Sequence, residues 1–536
     1  MSSEGLVKDG RKKVVIVGGG AAGMSCAATL AQHPDKFHVT VIERMSVVGG
    51  QATSININKD LYGTSWMNDG VQGGSPVFKH TFNFFRKYGH EPKDVKLQVA
   101  FGKGKDGFWT NCFPSPLVDQ FSGDIKKFGR VLKIIKYTMP VLGLIPIRIM
   151  LRMFFFNKEF GDKMVFPLIA LFLGTANVSC AILERLFDDP NMKLWNYDPE
   201  TLLPNLPQMV TFPHLERFYG DWKDDLVSKG VDIRTNTDVT AIKSRSKKDG
   251  VVLTTAPFDP EKGKTESGQR EGRHTGEGSA PEKYDELVMC VLADDALKIL
   301  GKIATWKERF VLGGARFFDD ITITHSDSKY FQENYETHFN PELCAKPKNK
   351  QQEEQIAFAK NEQKGQDGEP PGYRPMYYTH SYPEDMQKIE MAFDCTNYQH
   401  QFREDHGADK APIEYDQHVF QSIFLDKTHS DLWTIDQIDE SKIIERKWWH
   451  QLGHRWQHYV RVVPGMMFLN GKNSTFFAGS WTLVNMHEMA CVSGIAAAYR
   501  LGADYERFDD FAEDLFKKFL WISHGVRYKP SGKRQQ

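Results

Sequence analysis

The sequence predicts an α/β fold centred on a doubly wound parallel sheet shaped to hold a dinucleotide. Three observations predict it. Val14 to Val17 form a short β-branched run, the mark of a buried parallel strand. Gly18, Gly20 and Gly23 then satisfy G-x-G-x-x-G at the start of a helical pattern, Ala21 to Gln32. A second β-branched run, Val39 to Ile42, ends on the acid Glu43. Strand, tight turn, helix and strand follow one another within about 30 residues, the span of a dinucleotide-binding unit.

Each part has a physical task. Gly18 permits the sharp turn out of the strand. Gly20 has no side chain, so a pyrophosphate can approach the backbone where free N–H groups and the helix dipole favour anions. Ala22 lies in the same helix start, and Gly23 lets helix and strand pack closely. Glu43, followed by Arg44, can accept hydrogen bonds from a ribose hydroxyl pair. It would repel a 2′-phosphate, which disfavours NADP.

Glycines recur downstream. "RMSVVGGQATS" places Gly49 and Gly50 just past the ribose acid, as expected of a loop folding back over the same pyrophosphate. "NDGVQGGSPVF", Asn68 to Phe78, is a second glycine-rich cluster. "GVDIRTNTDVTAIKS", "YDELVMCVLADDALKIL" and "STFFAGSWTLVNMHEMACVSGIAAAYRLG" complete a series spread over most of the chain outside its middle insertions. Together these segments resemble the FAD-dependent amine oxidase and phytoene desaturase superfamily. The pair His487–Glu488 is similar to a subgroup of FAD/NAD(P)-binding oxidoreductases within it. The resemblance implies FAD. It implies contacts from Gly50 and Gln51, the latter where the family usually has Arg, and from Gly70 and Val71 near the flavin. It also implies that the backbone at Val239 reads the adenine edge and that Gly479 and Ser480 close the site, Ser480 standing where the family often has Asp. No family-type attachment cysteine is present, so the cofactor is expected to be non-covalent, with Cys491 close enough to keep the question open.

In that family the nucleotide domain is interrupted by a substrate domain of mixed sheet and helices. The expected FAD-binding parts are residues 1–95, 209–300 and 469–505. The expected substrate domain has an apolar helical part, 96–208, and a sheet part, 301–468, and the chain ends in an amphipathic helix and basic tail, 506–536. Two stretches rich in Gly, Glu and Lys are too polar to build a core. Residues 256–283 read as a mobile loop, and 345–375 as a surface insertion in which "EEQIAFAKNEQ" can form a short helix. Lys133 to Phe156 carries two prolines and two arginines, and is a poor spanning helix. Met164 to Leu183 is uncharged and long enough to span a bilayer, but Pro167, Gly174, Asn177 and Ser179 interrupt it. Buried helices are the preferred reading. A surface resting on lipid headgroups is the alternative, with Arg148 and Arg152 on one helical face.

The 68 Lys and Arg against 69 Asp and Glu give a net charge of −1 and no reason to expect nucleic acid. Seven scattered cysteines without C-x-x-C read as buried thiols in a reducing compartment. "MSSEGLVKDGRKK" has no apolar run. The expected location is therefore the cytoplasm, or the periphery of an intracellular membrane, rather than secretion. The sequence leaves the oligomeric state open. His450, His454 and His458 share a spacing that would stack them on one helical face, yet a metal would need a further converging ligand, and none is expected.

Only one nucleotide fingerprint is visible, which argues against a reductase or monooxygenase fed by bound nicotinamide. What remains is oxidation with oxygen or a quinone-like acceptor, or an internal hydride shuttle that moves a double bond. The Phe- and Met-rich middle favours a greasy small molecule, fatty acyl or isoprenoid. A flavin amine oxidase using oxygen is the alternative, with Trp448, Trp449, Trp456 and Tyr459 as aromatic walls. A flavin-bearing lipid-binding protein without turnover is the third reading. His487 and Glu488 are the catalytic candidates. Histidine titrates near neutrality and suits acid–base work, while Glu488 can bond the flavin or cap the helix. Structural hydrogen bonding is the competing reading for both.

Overall fold

The computed structural model describes residues 10–170, 177–260, 273–362, 372–406 and 413–530. Five parallel strands form the nucleotide sheet: β1 (Lys12–Val17), β2 (Phe37–Ile42), β3 (Asp232–Arg234), β4 (Glu286–Met289) and β5 (Thr475–Phe477). Their order is β3-β2-β1-β4-β5. Val14 lies opposite both Val39 and Glu286, and Val17 opposite Ile42 and Met289. Val14, Val15 and Ile16 are wholly buried, because helices or chain cover both faces of this sheet. The chain grows outward from β1 to β2 and β3, then returns to the far side of β1 at β4. The glycine turn therefore sits at the point where strand order reverses, where open α/β sheets bind ligands.

Two helices cross behind that point. The first, Ala21–Leu30, is buried along its whole length. The closing helix, His487–Leu501, is rich in Ala, Gly and Ser, and nearly all of it is buried. Their backbones touch. A methyl group at Gly494 would lie 2.0 Å from the Ala22 carbonyl oxygen. Ser25 Oγ also donates to the Cys491 carbonyl at 3.1 Å.

The inserted domain is built on a seven-stranded mixed sheet. In spatial order its strands are Ile443–Leu452, Phe317–His325, Phe420–Phe424, Asp385–Asp394, Tyr377–Tyr382, Val99–Phe101 and Trp109–Thr110. Neighbours run antiparallel except Tyr377–Tyr382 with Val99–Phe101. Two strands of this sheet thus come from 96–208, a stretch expected to be helical. The rest of that stretch carries helices, among them Ser122–Tyr137, Ile147–Met153 and Cys180–Asp188.

The apolar run Met164–Leu183 does not make one helix. Phe166–Ala170 is helical, residues 171–176 lie outside the described residues, and 177–179 are non-helical before the helix that begins at Cys180. Among the described residues no helix is long and apolar enough to cross a membrane.

Part of the expected loop 256–283 is strand. Gly250–Asp259 runs into it, and Arg273–His274 and Glu282–Tyr284 pair back onto that strand. Its centre, 261–272, lies outside the described residues. The insertion 345–375 contains the helix Lys350–Ala359, capped by the Asn349 side chain; 363–371 lie outside the described residues. The C-terminal helix Asp510–His524 buries Leu515, Phe516, Phe519 and Leu520 against its own protein, while the tail 531–536 lies outside the described residues.

Candidate functional site

The glycine turn is built by close approach. Gly18 has φ +104° and its N–H reaches the Ile42 carbonyl at 2.8 Å. A methyl at Gly23 would lie 1.9 Å from the Gly18 oxygen, so only glycine fits. Gly20 caps the first helix without a side chain, and the first turn carries no acid. That end is electrostatically open to an anion. Gly49 comes back against the turn, its N–H 2.9 Å from the Gly19 carbonyl, and Gly50 packs on Gly20. Ala22 lies at the helix crossing.

Glu43 lies at the rim of this turn, almost fully buried. Its Oε2 accepts the Gly19 N–H at 2.6 Å and Oε1 the Met45 N–H at 2.8 Å. Burial raises its pKa, partly offset by these N–H groups. The Thr237 N–H donates to the Glu43 carbonyl at 3.0 Å, which brings buried Val239 close to the same rim. Arg44 turns outward into solvent.

A second loop, 68–72, meets the first through Gln51. A methyl at Gly70 would strike the Gln51 carbonyl at 2.0 Å and the Trp449 ring at 2.9 Å. Gln51 Nε2 donates to the His450 carbonyl at 3.0 Å. Beside Gly70 and half-buried Val71, Asp69 pairs with Lys447 at 2.6 Å, and the ammonium lies 4.5 Å from the Trp449 ring centre. Buried amides pin the loop from the inserted domain. Gln399 Nε2 donates to the Asn68 carbonyl at 2.8 Å and to Gln72 Oε1 at 2.9 Å, and Gln72 Nε2 to Gln421 Oε1 at 2.5 Å.

The closing segment turns at Gly479, φ +144°, whose N–H reaches Ser493 Oγ at 2.8 Å. Ser480 Oγ donates to Asn485 Oδ1 at 2.8 Å. No side chain caps the closing helix at its N-terminus.

His487 and Glu488, the two catalytic candidates, are both buried and fully engaged. Glu488 Oε1 accepts the His80 N–H at 3.0 Å and meets His80 Nδ1 at 2.7 Å. Its Oε2 accepts the Thr81 N–H at 2.8 Å. It thereby caps the helix Lys79–Lys87 from across the fold. Burial raises its pKa, but His80 and the two backbone N–H groups outweigh it and hold the carboxyl below its ordinary value. His487 Nε2 meets the Tyr219 hydroxyl at 2.7 Å, and Nδ1 meets Thr81 Oγ1 at 3.0 Å. Burial lowers its pKa to about 4, so the imidazole is neutral at pH 7. Both ring nitrogens are engaged inside the protein, which favours the structural hydrogen-bonding reading over the acid–base one. The pair ties the closing helix to the helices Lys79–Lys87 and Leu215–Ser228. Sequence reasoning missed its partners His80, Thr81 and Tyr219. Cys491 Sγ lies 3.6 Å from His487 Nδ1, buried, with its thiol pushed well above its ordinary pKa, unlike a thiolate ready for attachment.

The helical stack of three histidines is corrected. His450 lies within the strand Ile443–Leu452, and residues 453–455 after it are not helical. His450 bridges Asp319 at 2.7 Å and Asp294 at 3.1 Å. His454 Nε2 accepts the Asn485 N–H at 3.3 Å, and His458 meets the Leu483 carbonyl at 3.1 Å. Among the described residues no group of three or more His, Cys, Asp or Glu could hold a metal. Nor do the four aromatics form one wall. Trp449 packs on Gly70, Trp448 faces Trp433, Trp456 is exposed, and Tyr459 bonds His454.

Residues 16–88 match the model of an NAD(P)-binding Rossmann-like domain. No curated protein matches the sequence. Among solved structures, the CLA-producing fatty acid isomerase from P. acnes is similar, with a TM-score of 0.58 at 15% identity over 93% of this chain and 100% of that one. Cyclohexylamine oxidase from Brevibacterium oxydans aligns with a TM-score of 0.54 at 11% identity, over 94% of this chain and 99% of its own. An oxidoreductase from Methanosarcina mazei gives 0.52 at 10% identity, over 91% and 100%. The fold is shared with these structures: a Rossmann-like domain with an inserted domain of mixed sheet and helices.

Proposed function

We propose that this chain is an FAD-dependent oxidoreductase that takes hydride from a lipophilic substrate, fatty acyl or isoprenoid, and desaturates it or moves a double bond. The observation that carries the cofactor is the side-chain-free meeting of Gly20, Gly49 and Gly50 at an uncapped, acid-free helix start. A diphosphate suits that cradle, and the buried Glu43 carboxylate beside it suits a ribose. On this reading the adenine lies by the Val239 backbone, and the flavin half is held by Gln51, Gly70, Val71, Gly479 and Ser480. FAD, when bound, supplies a group that accepts hydride and can return it. The chain's own task is to hold and enclose. Trp449 and the Asp69–Lys447 pair fix the Gly70 loop, and His487 and Glu488 fix the closing helix. His487, neutral, holds its one ring proton within these contacts.

A lipophilic substrate is supported by the apolar character of the inserted helices and by the fold shared with a fatty acid isomerase. An aromatic cage for an amine is not supported, since the four candidate aromatics point to separate neighbourhoods. The test is anaerobic incubation of the flavin-loaded protein with unsaturated fatty acids and polyenes. Flavin absorbance and the lipid products are followed together, because a redox-neutral isomerase leaves the flavin yellow. Bleaching or a shifted double bond supports the reading. Bleaching by amines alone, with peroxide on re-aeration, replaces it with the amine oxidase, and an inert flavin with no product points to the non-catalytic carrier.

A further inference from the structure

We propose that the outer face of the helices Ser122–Tyr137 and Ile147–Met153 docks on the surface of a bilayer containing anionic phospholipid. Between Lys126 and Phe156 the chain has seven cations, Lys126, Lys127, Arg130, Lys133, Lys136, Arg148 and Arg152, and no acid. Lys127 pairs with Asp124 and Lys136 with Asp188. The other five show no ion pair among the described residues and are exposed. Both helices bury their inner positions, Ile125, Phe128, Val131, Leu132 and Ile135, and Ile147, Met150 and Leu151, in one shared core. Both also pack on the same third helix, Cys180–Asp188. The longer helix alone extends about 24 Å.

Large apolar side chains stand among these cations. Tyr137 is 84% exposed, Val141 69% and Phe155 88%, with Ile134, Ile149 and Met153 also exposed. Scattered exposed hydrophobics are ordinary, but six within a short stretch, ringed by cations, are not. Apolar tips among Lys and Arg match an interface of acyl chains under anionic headgroups. A second copy of this chain is a poor occupant, because it would set the cations against each other.

Phe155 adds an independent observation. It lies at φ +54°, the left-handed position after a helix where glycine is preferred. Its N–H reaches the Arg152 carbonyl at 3.0 Å and the Phe156 N–H the Leu151 carbonyl at 3.0 Å, which completes that helix end. Lys127 Nζ donates to the Phe155 carbonyl at 2.7 Å. The residue is thus strained in its backbone and bare in its ring, a combination that gains the fold nothing and suits insertion into lipid. Among the described residues no helix is long and apolar enough to cross a membrane, and the contact proposed is with the bilayer surface. The inference does not depend on the substrate.

The experiment is co-sedimentation of the full-length protein with vesicles of phosphatidylcholine alone and of phosphatidylcholine mixed with phosphatidylserine. Binding to the mixed vesicles that weakens with salt is expected. R148E/R152E should lower that partitioning at least roughly twenty-five-fold, about fivefold per lost cation, with the two added carboxylates lowering it further. Phe155→Gly should also lower it while the thermal midpoint holds or rises, which loss of a structural residue would not do. Trp521→Ser, an exposed apolar change elsewhere, should leave it unchanged. Equal binding to both vesicle types, no binding, or indifference to R148E/R152E overturns the proposal. So does a dimer in solution that Phe155→Gly dissolves.

Discussion

Gly494→Ala adds one methyl group and should cripple cofactor binding. The ideal Cβ would lie 2.0 Å from the Ala22 carbonyl oxygen, 2.5 Å from Ser25 Oγ and 2.9 Å from the Ala22 carbonyl carbon. Two of these atoms are backbone and cannot rotate away. A carbon and an oxygen need more than 3.0 Å, so the closing helix and the first helix must separate by about 1 Å at their crossing. That shift stretches the 3.1 Å bond from Ser25 Oγ to the Cys491 carbonyl. It also displaces the helix start that carries Gly20. Overpacking of this kind costs about 1–3 kcal/mol, and 2 kcal/mol carried into the binding-competent state raises Kd roughly 30-fold. The assay is titration of apoprotein with FAD, read by flavin fluorescence and by the thermal midpoint with and without cofactor. Gly220→Ala is the matched control: it lies in a helix with no atom within 4 Å of the added methyl. That change should bind FAD normally and stabilise the fold by about 0.5–1 kcal/mol. Wild-type FAD affinity in Gly494→Ala would refute the idea that the two helices position the site by backbone contact.

Glu43→Ala leaves the Gly19 and Met45 N–H groups without their carboxylate, and FAD affinity should fall about 10- to 100-fold, measured by the same titration. Glu488→Gln puts an amide against donors, and the thermal midpoint should drop with a loss of about 1.5–3 kcal/mol even though the side chain is nowhere near solvent. Acid should destabilise the fold early. His454, His458, His487 and His524 are held by burial at about 3, 4, 4 and 3, below an ordinary 6.5. A folded pKa below the unfolded one means the unfolded chain takes up protons first. Their stabilisation is therefore complete above pH 6.5 and is lost as pH falls toward 4, by up to ~3 kcal/mol per histidine. His450 runs the other way, raised to about 9 chiefly by Asp294, so its contribution is complete below 6.5 and fades as pH rises through 9. Urea midpoints across pH 4–10 check both arms. Cys491→Ser should leave flavin release by denaturation unchanged, since that thiol is sealed beside His487.

The parts of the fold that sequence made legible are those whose physics is local. Gly18, Gly20, Gly23 and Glu43 lie in one short unit, and the approach of Gly23 to Gly18 is written in the spacing itself. The residues that complete the closing helix were not legible. Thr81 and Tyr219 lie 406 and 268 residues from His487, and nothing near any of the three signals the contact. His487 and Glu488 stood out as a motif, but sequence gives no burial, and it is burial that favours the structural reading of the pair. The histidine spacing at 450, 454 and 458 imitated a helix because periodicity does not see the end of a strand at Leu452 and the non-helical residues 453–455 after it. Lys447 and Trp449 were part of an aromatic run. Their tie to Asp69 and Gly70 depends on the strand Ile443–Leu452 passing over a loop nearly 380 residues away.

The most direct test of the whole account is the visible spectrum of the folded protein after saturation with FAD and removal of free cofactor. One flavin per chain, released intact when the protein is denatured, is the predicted result. A well-folded protein that stays colourless would contradict the account at its root.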